Sequence, residues 1–97
     1  MAKPVKSIGD YLKQVGENVY IARRRKGYTM QELGEDIGMD RSAISKIESG
    51  KNLTIETLIK LSTALEVHPS DLLEGDFSVS DRELDTYIAQ KRSRRKK

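Results

Sequence analysis

Apolar residues recur three and four apart along most of this chain, and the first such stripe is Ile8, Tyr11/Leu12, Val15, Val19 and Ala22. That spacing predicts a helix with one buried face. Ser7 with Asp10 opens it, and the pattern runs past Gly16, so one long helix from about Ile8 to Lys26 is expected. Two helices broken near Gly16 remain the alternative, because a lone glycine does not decide the matter. Gly27-Tyr28 then turns the chain. Thr29 with Glu32 three residues on forms a capping box, and Leu33 and Ile37 give the following short helix its apolar face. Gly38 stands where that helix must stop, at the position that takes a left-handed backbone. Asp40 is a second N-cap candidate. The helix after it, from Arg41 towards Glu48, has Ala43, Ile44 and Ile47 as its apolar positions and is ended by Gly50. Arg41, Ser42, Ser45 and Lys46 are left to face outward.

After the Lys51-Asn52 loop, Thr54 caps a helix whose inward face is Leu58, Leu61, Ser62 and Leu65. Val67-His68-Pro69 interrupts it, and Pro69 or Ser70 starts a last short helix containing Leu72 and Leu73. Five helices with short connections and no strand pattern imply an all-α globule. Residues 1–6 read as a disordered arm, residues 1–76 as the domain, and 77–97 as an appendage. In the appendage, Ser80 with Glu83 makes another capping box, and Leu84, Tyr87 and Ile88 share one face of the helix that follows. From Lys91 onward the chain is KRSRRKK.

Two short helices around a tight glycine turn, with small polar and basic residues opening the second, describe a helix-turn-helix. The order T-x-x-E-L-x-x-x-x-G from Thr29 to Gly38, followed by I-S-x-x-E-x-G from Ile44 to Gly50, resembles the Cro/C1 or XRE type, the family of the phage lambda repressor. The resemblance runs from about Val15 to Leu73. It implies a lambda repressor-like five-helix DNA-binding domain, here with an extended first helix, since Ile8 to Gln14 precede the family's usual start. It also implies that Arg23 pairs with Glu48 as a structural link between the first and third helices. Two positions depart from the family pattern. Met30 replaces the usual glutamine after the threonine, with Gln31 about 100° further round the helix. Gly34 replaces the usual alanine, at about 1 kcal/mol in helix propensity.

Charge changes the picture less than the net value of +3 suggests. Residues 1–76 hold 11 Lys/Arg against 12 Asp/Glu, and residues 77–97 hold 7 against 3, so the surplus lies in the appendage. A claim of DNA binding therefore rests on local placement. The candidate DNA-facing set is Thr29, Gln31, Arg41, Ser42, Ala43, Ser45, Lys46, Lys51 and Asn52. Arginine bridges guanine O6 and N7, lysine reaches the same acceptors or a phosphate, and serines are adaptable donors. The run Arg23-Arg24-Arg25-Lys26 otherwise reads as a solvated helix end suited to the helix dipole.

The absence of cysteine excludes disulfides, thiol nucleophiles and zinc–cysteine sites. His68 is the single histidine and reads as structural or solvated. No catalytic constellation, metal site or cofactor is expected, and the chain reads as a soluble cytoplasmic protein rather than an enzyme. The leading expectation is a transcriptional repressor that binds a palindromic operator in double-stranded DNA as a homodimer. Phe77, Leu84, Tyr87 and Ile88 are its expected dimerisation residues, on the ground that the domain shows no other spare apolar face. The alternative is an antitoxin or interaction module whose C-terminal segment grips a protein partner, with DNA binding used for autoregulation. The basic tail has three readings: a solubilising tail, a non-specific DNA arm, or a partner-binding feature.

Overall fold

The computed structural model describes residues 7–75 and, further on, residues 82, 85, 86 and 88–90. Five α-helices follow one another: α1 (Ile8–Lys26), α2 (Met30–Ile37), α3 (Arg41–Glu48), α4 (Ile55–Leu65) and α5 (Pro69–Leu72). No strand occurs among the described residues. Each helix begins on a side-chain cap. The Ser7, Thr29, Asp40 and Thr54 side chains accept from backbone N–H groups three residues on, and at Thr29 the Glu32 carboxylate reciprocates. These caps satisfy donors that a helix start otherwise leaves unpaired. His68 caps α5 through Nδ1, which accepts from the Ser70 N–H at 3.1 Å, while Asp71 returns a bond to the His68 N–H. The single histidine therefore has a structural task.

α1 is one continuous helix, and Gly16 does not break it. Gly16 serves instead as the crossing point with α3. A Cβ there would lie 2.5 Å from the Ile47 carbonyl oxygen and 2.6 Å from that of Glu48, so only glycine lets the two backbones approach. Gly34 plays the same part in α2, where a Cβ would press into the Met39 carbonyl of the turn. The lower propensity of glycine in α2 thus secures a turn tight enough to redirect the chain into α3.

The core is formed by Val19, Leu33, Ile37, Ile44, Ile47, Leu58, Leu61, Leu65 and Leu72, drawn from all five helices. Burying one such side chain fully contributes about 1.5–3 kcal/mol. Glu66 ends α4 in a left-handed conformation (φ 58°), a conformation usually left to glycine. Its carboxylate meets Lys26 Nζ at 3.3 Å, and that same ammonium donates to the Ala64 carbonyl at 2.6 Å and lies over the Tyr28 ring. Lys26 is therefore a fastening between α1 and α4, which corrects the reading of the whole 23–26 run as a solvated helix end.

At the other end of α1, the Tyr11 hydroxyl donates to the Leu73 carbonyl at 3.0 Å. The Asn18 amide donates to the carbonyls of Leu72 and Glu74 at 3.1 and 2.8 Å. The additional turns of α1 are thereby tied to the end of α5. Beyond residue 75 the described positions 82, 85, 86 and 88–90 are helical, and the Thr86 hydroxyl donates to the Arg82 carbonyl. Of the expected dimerisation residues, Ile88 is described and 39% exposed, whereas Phe77, Leu84 and Tyr87 lie outside the described residues. The arm 1–6 and the basic tail 91–97 lie outside them as well.

Candidate nucleic-acid interface

α3 is eight residues long and divides into two sides. Its inner side carries Ile44 and Ile47, both buried in the core, and Glu48. The Arg23 guanidinium grips Glu48 with two bonds, Nε to Oε2 at 2.6 Å and Nη2 to Oε1 at 3.1 Å, and both side chains are only 6% exposed. The third direction of the guanidinium is taken by the Tyr28 carbonyl at 2.8 Å. Bidentate, charge-assisted bonds of this kind are about twice as strong as neutral ones. The bond to Glu48 holds the Arg23 pKa above its already high ordinary value. Arg23 is thus fully occupied within the fold, joining α1, the turn before α2 and the end of α3.

The outer side of α3 is different. Arg41, Ser42, Ser45 and Lys46 are exposed, and Ala43 is half-buried between them and the core. Neither Arg41 nor Lys46 has an ion-pair partner among the described residues, in contrast to Arg23, Lys26 and Lys60. Asp40, at the head of the helix, spends one carboxylate oxygen on the Ala43 N–H at 2.8 Å, which accounts for an acid at this place. After α3 the Lys51 N–H bonds back to the Lys46 carbonyl at 3.0 Å, and the loop that follows carries exposed Lys51 and Asn52.

Beside the start of α3, an open groove of about 670 Å³ runs between the end of α1 and the first turn of α2. It brings Thr29, Gln31 and Arg41 together, and it adds Arg24. Arg24 was hidden in the sequence by the uniform basic run. Its signal is positional, since a residue next to the inward-facing Arg23 points about 100° away. Met30 is half-buried against the core, so the side chain in the family's glutamine position packs inward, and the exposed polar group of this turn is Gln31. Tyr28 completes the frame by donating to Asp36 at 2.9 Å, and that bond raises the phenol pKa above its ordinary value.

A basic groove, a capped α2 and an exposed polar α3 are the parts of a helix-turn-helix reading head. The helix-turn-helix family HTH_3 matches residues 19–72, which includes every one of these elements except the first turns of α1. The chain belongs to this Cro/C1-type family. The family consists of DNA-binding transcription regulators rather than enzymes. Among its relatives is the HTH-type transcriptional regulator SlrR of Bacillus subtilis, 34% identical over 64 residues. That alignment takes in 64% of this chain but only 42% of SlrR, so the match is to one part of that protein. The restriction–modification controller protein C.AhdI of Aeromonas hydrophila superposes with a TM-score of 0.60 at 33% identity, over 65% of this chain and 96% of that one. The P22 c2 repressor in complex with a synthetic operator gives 0.59 at 35% identity, over 64% of this chain and 96% of the repressor. No helix among the described residues is long and apolar enough to cross a membrane.

Proposed function

We propose that this chain is a sequence-specific repressor of transcription that reads a palindromic operator in double-stranded DNA as a homodimer. The observation that carries the reading is the two-sidedness of α3. One side is locked into the core, and the other presents Arg41, Ser42, Ser45 and Lys46 to solvent, with Arg41 and Lys46 lacking ion-pair partners among the described residues. Placed in a major groove, Arg41 reaches guanine O6 and N7, Ser42, Ser45 and Lys46 meet neighbouring base edges, and the Ala43 methyl suits a thymine methyl. Thr29, Gln31, Lys51 and Asn52 flank that helix and fit the phosphates on either side, which set register without reading sequence. The P22 c2 repressor, bound to its operator in the related structure, supports a repressor's role here. One module reads few base pairs, and two copies related by a twofold axis read two half-sites about one helical turn apart.

The test is selection of bound duplexes from a random pool with the full chain. An enriched inverted repeat, with half-site centres roughly 10 base pairs apart, is the expected result. An unrepeated site would remove the dimer from this reading, and no enrichment at all would remove sequence-specific binding.

A further inference from the structure

We infer that Arg24, near the end of α1, grips a backbone phosphate of the DNA strand that passes the start of α3. The inference rests on the reading of α3 as the helix that enters the major groove, and adds to it a contact from α1. Four cations follow one another from Arg23 to Lys26, and three of them keep acidic company. Arg23 holds Glu48, and Lys26 meets Glu66 at 3.3 Å. Arg25, about 100° round the helix from Arg24, borders a separate recess of about 320 Å³ together with Asp71 and Glu74. Arg24 alone of the four lines a groove without an acid. That groove, of about 670 Å³, also takes in Arg23 and Arg41, and no carboxylate is among its lining residues.

Glu48 neutralises Arg23, which leaves Arg24 and Arg41 as the uncompensated charges of the groove. Both are exposed, and neither has an ion-pair partner among the described residues. Met30, in the same groove, packs on the core and brings nothing polar. Two like charges in one concave site repel each other and raise the local positive potential. An anion seated beside them offsets both. The guanidinium fork matches two oxygens of one phosphate. Arg41 opens α3 and lines this groove, so with α3 in the major groove the strand bordering that end of the helix passes Arg24. The phosphodiester is the anion that recurs along such a strand. A contact of this kind carries no sequence information, and it fixes how α3 lies on the duplex.

Binding of the full chain to random-sequence duplexes, titrated over roughly 0.05–0.3 M sodium chloride, tests this. Arg24→Ala should weaken binding by roughly eightfold at about 0.1 M, the value of one released counterion against a reference of about 1 M. Its salt slope should fall by about 1. Arg24→Lys should keep most of the slope, since an ammonium serves a phosphate as a point charge. Arg25→Ala removes the same charge one residue away and should lose much less. All three should melt near the wild type, because both side chains are exposed. A wild-type slope in Arg24→Ala overturns the proposal. An equal loss in Arg25→Ala overturns it too, by reducing the effect to net charge. Should Arg24→Ala keep the slope but lose saturable uptake of inorganic phosphate, the groove belongs to a free anion and the proposal falls. An inverted repeat recovered from the selection above, with no effect of Arg24→Ala, sinks this inference alone. A slope lost in Arg24→Ala with no repeat enriched sinks the palindromic reading alone.

Discussion

The two sides of α3 share eight residues and have almost no chemistry in common. Inside, Ile44 and Ile47 are buried, Glu48 is held at both oxygens, and Gly16 leaves no room for a Cβ against the carbonyls of Ile47 and Glu48. Outside, Arg41, Ser42, Ser45 and Lys46 touch solvent and remain without ion-pair partners among the described residues. The helix is fixed in place by its inner residues, and the reading proposed above assigns recognition to residues that do not fix it. Substitutions on the two sides should therefore separate into loss of fold and loss of recognition.

The largest effect is expected from Glu48→Ala. It strands the buried Arg23 guanidinium, and breaking a buried pair from one side costs about 3–5 kcal/mol. Thermal melting should show this loss, while whatever protein remains folded keeps its base preference. A variant that melts like the wild type but reads DNA poorly would move Glu48 to the outer side of the comparison. Gly16→Ala comes next. Overpacking costs roughly 1–3 kcal/mol, partly offset by about 1 kcal/mol of helix propensity gained, so a net destabilisation is expected by denaturant titration. An unchanged midpoint would mean that the α1–α3 crossing yields.

Arg41→Ala should leave stability nearly untouched and reduce operator binding by roughly 1–3 kcal/mol, relaxing the preference at one base position in each half-site. Lys51→Ala should weaken all duplexes about equally and reduce the salt slope by about 1. Titrations of operator and scrambled duplexes at several salt concentrations separate these two outcomes. If the phenotypes are exchanged, α3 sits in the groove differently from its placement here.

Much of this division was legible in the sequence, for local reasons. Caps at Thr29, Asp40 and Thr54, the stop at Gly38 and the inward positions of α4 follow from spacing and short-range hydrogen bonding, and the structure has them where they were expected. The family resemblance placed the two short helices in the chain. What spacing does not convey is which backbone approaches which. Gly16 looked like a possible break and is a point of close contact, because its neighbour is 31 residues away. The run from Arg23 to Lys26 looked uniform and divides into a buried pair, a groove-lining cation, an exposed residue and a fastening to α4. Ile55 and Ile59 on α4 are 70% and 52% exposed, against the expectation that the domain has no other spare apolar face. They escaped notice because a periodic helix pattern identifies the inward stripe and leaves surplus apolar residues without an address.

The bonds from Tyr11 and Asn18 to the end of α5 have a mechanical consequence. They join residues near the two ends of the domain, 54 to 62 positions apart in sequence. Tension applied through those ends is carried first by these three side-chain bonds, across the first turns of α1 and the exit of α5. A pull from the flanking segments would thus load the seam between Tyr11 and Leu73 first.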